Sequence, residues 1–427
     1  MSKLKNIEEL REFILYLEDK YNLLDFEIDG VKPWQSHRVQ IDYALGRVSG
    51  LMSVPHTRTS LKDKFLNSFS IIKSMFYFNP FFSKPVDIIV FPHSRVKNVD
   101  GEFIDIYTHY FTNKLARENK NFIEIECPHF GKHYKIKTAW RYHLDFILVL
   151  VNIFSRFIKL KNIDYEFIEK VEKEIGLRIG KYDLKSLFLV VSKKYKVEYF
   201  YYNRLFKKLR PKKIYLVVSY SGFAAMIKAA KDLDIEVIEF QHGNFSQYHF
   251  GYYFGEEKRE LDYFPDKFYV WNKYWKNLIN FPIDDSKIII NRFDFLENKK
   301  KSYKKIKKIK NKVIVLSQGV LGNDIAEKII ENWDYFQKFN IKYKLHPGEY
   351  TRWKDYKSLI ELEKKDNVEV LKDIDLYELF SSCEYQVGVF STALYEGIEF
   401  ECKTILLNLQ GIESMSTFKE LYNVKVI

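Results

Sequence analysis

Apolar residues in this chain occur in two patterns, short β-branched runs and longer stretches at helical spacing, and the two alternate. Ile7, Leu10, Phe13, Ile14 and Leu17 share one face of a helix expected over 6–20, and Lys32-Pro33 introduces a second over 34–48. Residues 86–91 read as a strand, and 140–210 as a set of helices that includes 146–158 and 184–209 and ends at Arg210-Pro211. Strand 213–219, helix 223–233 and strand 236–240 then form a βαβ unit, with further short strands at 266–271 and 287–290. A fresh alternation opens at 312–316 and continues through strands 341–345 and 368–371, helix 376–382, strand 385–389 and strand 404–407. Strands alternating with helices in this way predict an α/β protein with parallel sheets.

Length and composition add boundaries. A chain of 427 residues, 46% hydrophobic and 17% aromatic, is long enough for two or three cored domains. The formal charge of +12 is local: nine lysines and no acid lie between Lys299 and Lys312, and the rest carries only about +3. That distribution argues against nucleic acid as a partner. The tract is expected to be a linker, 299–312, between an N-terminal domain, 1–298, and a C-terminal domain, 313–427. Cys127, Cys383 and Cys402 show no metal-ligand spacing, so no metal and a reducing compartment are expected. The N-terminal residues lack a signal-peptide pattern, and the longest apolar run, 146–151, is far below the ~20 residues of a membrane span. A cytoplasmic protein is expected.

Candidate chemistry gathers at strand ends, where open α/β sheets bind ligands. In 387–397, Val-Gly-Val-Phe-Ser-Thr-Ala-Leu-Tyr-Glu-Gly, a strand turns straight into a helix. Ser391 or Thr392 is placed to cap that helix, its amides to meet a phosphate, and Glu396 to meet ribose hydroxyls. Ser317-Gln318-Gly319 and His346-Pro347 follow two other strands of the same half. In the first half His242 follows strand 236–240 in Gln241-His242-Gly243, where an imidazole serves as a base toward a hydroxyl. His93, Arg95 and His249 are candidate acceptor contacts, and Asp105 is a reserve base. Arg38, Asp42 and Arg47 read as a solvated helix face. The basic, aromatic segment 61–82 fits either core packing or an anionic bilayer surface. Asp373-Ile374-Asp375 resembles a metal-binding pair, but Asp375 precedes a helix and reads as its N-cap.

Gln241-His242-Gly243 with His249 and Tyr252, then His346-Pro347, then Ser391-Thr392 with Glu396-Gly397, resemble bacterial GT-B glycosyltransferases of capsule and surface polysaccharide synthesis, over roughly residues 86–415. The similarity extends to the polyol-phosphate transferases of teichoic-acid assembly. It implies two Rossmann-like domains facing a cleft, with extra N-terminal helices, acceptor on the first domain and nucleotide-sugar donor on the second. By position, His346 meets the donor phosphates, Ser391 and Thr392 hold phosphate, Glu396 takes the ribose and His242 is the base. Asn244-Phe245 depart from the small residue and proline that usually follow the His-Gly pair in the polyol-phosphate transferases. The implied activity is metal-independent transfer of a sugar, without cofactor, to a lipid-linked or polymeric glycan, in the cytoplasm or, where segment 61–82 lies on a bilayer, at the inner face of the plasma membrane. A CDP-polyol phosphotransferase, a sugar-nucleotide epimerase and a non-catalytic assembly member are the alternatives. The segment crossing back from the C-terminus is expected to be short or missing.

Overall fold

Two parallel sheets account for the two alternating regions. The computed structural model describes residues 4–52, 71–94, 96–99, 101–128, 132–135, 138–422 and 424–427. The chain divides into two units, Met1–Arg292 and Phe293–Ile427.

The first unit contains β1 (Ile88–Phe91), β2 (Lys97–Val99), β3 (Glu102–Ile104), β4 (Phe122–Glu126), β5 (Arg141–His143), β6 (Lys213–Val217), β7 (Glu236–Phe240), β8 (Lys267–Val270) and β9 (Ile288–Ile290). Strands β2 and β3 form an antiparallel hairpin, while the others build one sheet in the order β5-β4-β1-β6-β7-β8-β9. The second unit contains β10 (Ile309–Leu316), β11 (Asn340–Lys344), β12 (Val368–Leu371), β13 (Cys383–Gly388), β14 (Lys403–Leu406) and β15 (Lys425–Val426), in the order β12-β11-β10-β13-β14-β15. Both orders reverse direction once, between β1 and β6 and between β10 and β13, which is the Rossmann arrangement. The expected α/β architecture of two Rossmann-like units with added N-terminal helices is therefore present.

Alternation along the strands builds the core. Ile89, Phe91, Ile123, Ile125, Ile214, Leu216 and Val237 face one side of the first sheet, against the helices Leu184–Leu209 and Ala224–Lys231. Val90, Phe122, Tyr215, Val217, Ile238 and Phe240 face the other. A parallel sheet covered on both faces needs such runs, each large side chain contributing about 1.5–3 kcal/mol. In the second unit Val313, Val315, Ile341, Tyr343 and Val387 pack with Ile325, Leu359 and Leu362.

Two expectations change. The region 140–210 is not all helical, because Arg141–His143 is the edge strand β5, and the neighbouring β4 has no counterpart in the sequence reading. Strand β4 reads Phe-Ile-Glu-Ile-Glu yet is buried throughout. Its acids are neutralised in place: Arg141 Nε binds Glu124 at 2.8 Å, and His133 Nδ1 lies 3.2 Å from Glu126. The lysine tract is also folded into the second unit. It supplies the end of the helix Asp294–Tyr303 and the start of β10, and Lys299 bonds Asp375 at 2.7 Å while Lys300 bonds Glu399 at 3.0 Å. Lys308 Nζ donates to the carbonyls of Phe380 and Cys383, and Lys312 Nζ to Ser382. Asp375 caps the helix Leu376–Ser382 through the Tyr377 amide, in agreement with the capping reading. Segment 61–82 is described only from residue 71 onward.

The N-terminal helices Ile7–Tyr21 and Pro33–Val48 are pinned by a buried ion pair. Arg38 makes a two-pronged contact with Glu18, at 2.6 and 2.8 Å, and the Trp34 indole donates to the same carboxylate at 2.7 Å. Arg38 Nη1 donates to the carbonyls of Phe250 and Tyr253, both at 2.6 Å, and the guanidinium lies between the Phe250 and Phe254 rings. The helix face read as solvated is thus buried at Arg38 and Asp42. Desolvation pushes the Asp42 carboxyl up to about 7, against the lowering influence of Arg38.

Breaking one half of such a pair leaves an uncompensated buried charge. Arg38→Met is expected to cost about 3–5 kcal/mol in urea unfolding, and Arg38→Met with Glu18→Leu to recover most of that loss. Equal losses in the single and double variants would show that the pair is not what holds these helices.

Candidate functional site

The loops after β1, β6 and β7 leave neighbouring strands of the first sheet at its switch point. They carry His93, Tyr220 and His242, with the His93 and His242 rings 6.0 Å apart and nearly parallel. His242 lies between two tyrosines: Tyr252 Oη is 3.2 Å from Nδ1 and Tyr220 Oη is 3.2 Å from Nε2. Tyr220 Oη is also 3.3 Å from His249 Nε2.

The protons in this chain have one consistent direction. Burial brings His249 down to about 4, so its ring is neutral near pH 7. Its Nδ1 accepts from the Gly251 amide at 3.2 Å, which leaves the proton on Nε2, donated to Tyr220. Tyr220 then donates to His242 Nε2. At the other end Tyr252 donates to Glu239 Oε1 at 2.6 Å, so it accepts from His242 Nδ1–H. His242 is therefore the Nδ1–H tautomer, with the Nε2 lone pair as the acceptor. Burial pushes Glu239 up to about 7, against hydrogen bonds from Ser219 and Tyr252. Gly251 has a steric role here, because a Cβ on it would meet Cδ1 of Tyr220 at 2.4 Å.

Asp105 is fully buried at the end of the β2–β3 segment. It accepts from the amides of His93 and Tyr107 and from the Thr108 hydroxyl, and so shapes the His93 loop. Arg95 lies outside the described residues.

In the second unit the loops after β10, β11 and β13, three adjacent strands, are tied together. Ser317 Oγ donates to Glu349 Oε1 at 2.9 Å, and Glu349 Oε2 accepts from the His346 amide at 2.8 Å. Gln318 Oε1 accepts from the Phe390 amide at 3.1 Å, linking the β10 loop to the start of the helix Thr392–Glu399. Ser391 is the N-cap of that helix, accepting from the Ala393 amide at 3.2 Å, and Thr392 is its first residue. Glu396 is half-buried one turn on, and a Cβ at Gly397 would meet Gln386 Oε1 at 2.0 Å. The glycine lets the helix lie close against β13.

Exposed His346 begins the short turn Pro347–Glu349 and accepts the Gly348 amide at Nδ1, so the neutral ring carries its proton on Nε2. Arg352, whose guanidinium donates to the Gly319 carbonyl, brings a cation to the same edge. This arrangement of a capped helix start, an imidazole N–H and a guanidinium suits an anion.

Of the residues selected from sequence, His93, His242 and His249 gather at the edge of the first sheet and Ser317, Gln318, His346 and Ser391 at that of the second; Tyr220, Glu239, Glu349 and Arg352, which share those edges, were not selected. Tyr220 lies three residues past the end of β6, a position open to the same strand-end argument that selected His242. Glu239 and Glu349 belong to no local motif, and their meaning depends on partners 13 and 32 residues away.

No protein-family model matches this chain, and no curated protein matches it in sequence. Similar solved structures include the UDP-GlcNAc 2-epimerase from Methanocaldococcus jannaschii, at 12% identity and TM-score 0.46, covering 80% of this chain and 88% of that one. A glycosyltransferase from Rickettsia africae matches at 11% identity and TM-score 0.40, over 81% and 84% of the two chains. MurG from Acinetobacter baumannii matches at 10% identity and TM-score 0.43, over 80% and 86%.

Proposed function

We propose that this chain is a GT-B glycosyltransferase that moves a sugar from a nucleotide-sugar donor to a hydroxyl of a lipid-linked or polymeric surface glycan. The observation that carries this reading is His242 at the end of β7, fixed as the Nδ1–H tautomer with Nε2 as proton acceptor. In the reaction an acceptor hydroxyl displaces Tyr220 from Nε2 and gives its proton to His242. Its oxygen bonds to the anomeric carbon, and the bond from that carbon to the nucleotide phosphate breaks. Positive charge on His242 is stabilised through Tyr252 by the Glu239 carboxylate. The second unit is assigned the donor: its helix start at Ser391-Thr392, with His346 Nε2–H and Arg352, suits a phosphate, and Glu396 the ribose. No metal takes part in this transfer. Asp105, already accepting three hydrogen bonds, positions His93 in the acceptor contact.

An exposed apolar surface favours an acceptor at a membrane. Ile72, Met75, Phe76 and Tyr77 are exposed, as are Leu148, Ile153, Phe154 and Phe157 on and after the helix Asp145–Phe154. The two segments are joined where Ser74 Oγ accepts from the Phe146 amide and the Phe78 carbonyl from the His143 amide. Exposed Arg156, Lys159 and Lys161 adjoin them, the mix of apolar and basic groups that suits an anionic bilayer surface. Among the described residues no helix is long and apolar enough to cross a membrane.

Thermal melting against UDP, CMP, CDP, GDP and their sugar or polyol conjugates, with and without EDTA, tests the donor reading. One nucleotide class is expected to raise the melting temperature in EDTA, and Gly397→Leu to abolish that rise by pushing the helix off β13. A CDP-polyol as the sole ligand points to the phosphotransferase, turnover without acceptor to the epimerase, and no shift at all to the non-catalytic member.

With the donor so identified, His242→Ala is expected to lower kcat about 10²–10⁴-fold. Glu239 ionises as pH rises through about 7, so activity is expected to climb there and Glu239→Gln to flatten that limb. A wild-type profile indifferent to pH between 6 and 8, on the order of the ionisation range expected for such a group, would remove the relay from the mechanism.

Vesicle co-sedimentation tests the surface. Binding is expected to anionic but not zwitterionic vesicles and to be lost in Phe76→Glu/Phe157→Glu. Absence of wild-type binding to either vesicle refutes the membrane reading and leaves a polymeric acceptor.

A further inference from the structure

We propose that the turn joining the helix Asp294–Tyr303 to β10 is a contact for an anionic bilayer surface, carried by the second unit alone and independent of the transfer reading. The nine lysines of 299–312 divide into two groups. Lys299, Lys300, Lys308 and Lys312 bind acids, carbonyls or a serine within the unit. Lys301, Lys304, Lys305, Lys307 and Lys310 are exposed, and none of these five makes an ion pair or a side-chain hydrogen bond among the described residues.

The first group fixes the turn that presents the second. Tyr303 Oη donates to Asp375 at 2.9 Å where the turn begins, and the Asn311 amide donates to Glu384 at 2.8 Å where it ends. Between them Lys308 Nζ donates to the carbonyls of Phe380 and Cys383 at 2.6 and 2.8 Å. Lys308 is thus the inward peg, while its neighbours Lys307 and Ile309 are exposed. Ile306 and Ile309 are 39% and 53% exposed, two apolar side chains among five cations within residues 301–310. The acids that bind this segment are already matched: Asp375 takes Lys299, Glu399 takes Lys300, and Glu384 takes Lys403 at 2.9 Å.

This chemistry fits a lipid headgroup surface better than a nucleic acid. Ammonium groups on flexible stems suit a diffuse charged plane, whereas nucleic-acid recognition draws on the guanidinium fork and on stacked rings. The tract holds no arginine, and its one aromatic ring, Tyr303, is tied to Asp375. Ile306 and Ile309 add what a polyanion in water would leave unused, apolar groups able to enter the boundary between headgroups and acyl chains. Lysine clusters gain affinity for an anionic leaflet with each charge and lose it as salt screens them.

The test uses the full chain carrying Phe76→Glu/Phe157→Glu, which removes the apolar surface of the first unit. It is co-sedimented with vesicles of mixed phosphatidylglycerol and phosphatidylcholine, or of phosphatidylcholine alone. In about 150 mM NaCl this chain is expected to stay in the supernatant, and in about 20 mM to sediment with the anionic vesicles only. Adding Lys301→Gln, Lys304→Gln, Lys305→Gln, Lys307→Gln and Lys310→Gln is expected to weaken the low-salt binding at least about 10-fold, with an unchanged melting temperature. Removing the same charge at exposed Lys173, Lys181, Lys338, Lys357 and Lys364 is expected to leave that binding within about 2-fold. The proposal is overturned if the chain binds no anionic vesicle in low salt, or if the second set weakens binding as much as the first. Binding of a random-sequence oligonucleotide, but not of vesicles, through the turn overturns it as well. The surface of the first unit is read separately, from wild type against Phe76→Glu/Phe157→Glu at the higher salt, so either contact can fail alone.

Discussion

The pairing of Arg38 with Glu18 is the constraint on which the first unit's chemistry rests. Two charges removed from water are tolerable only if every prong is used, and here the guanidinium serves a carboxylate, two carbonyls and two aromatic faces. The carbonyls belong to Phe250 and Tyr253, so the ion pair fixes the loop that carries His249, Gly251 and Tyr252. Those residues in turn decide which nitrogen of His242 holds a proton. An anchor in the N-terminal helices thus sets the tautomer of a side chain at the end of β7, through backbone position and without contact.

The strand ends were legible in the sequence because parallel strands buried on both faces are nearly continuous apolar runs. Residues 86–91 and 213–219 contain β1 and β6, both buried after their first residue. The strand β4 was illegible for the opposite reason. Glu124 and Glu126 break the apolar pattern, and the cations that make their burial tolerable come from Lys135 and Arg141, which only the fold brings near. The lysine tract misled in the same way. Nine like charges suggest a solvated linker, yet Lys299 and Lys308 have acids and carbonyls waiting 70 or more residues away. Local composition records charge, whereas burial depends on distant partners.

A similar limit applies to the candidate site. The residues chosen at strand ends, His242, Ser317, His346 and Ser391, follow from topology alone, since a side chain just past a parallel strand must emerge at the carboxyl edge. The groups that tune them, Glu239, Tyr252 and Glu349, sit inside the layer or on a returning loop. Their role lies in a hydrogen-bond direction, which no spacing rule encodes.

The two sheets share one strand order but finish their edges differently, and the difference is chemical. The second sheet ends in a serine-capped helix start, a glycine that lets that helix close on β13, one imidazole N–H and a guanidinium, an edge whose donors suit negative charge. The first ends in histidines and tyrosines whose hydroxyls alternate as donor and acceptor from the Gly251 amide to the Glu239 carboxylate. A chain of that kind binds an anion poorly, because its one acid already repels it, but it can accept a proton at one end and spread the charge toward the other. The proposed division of labour between anion holding and proton handling thus rests on edge composition, even though the folds beneath are alike.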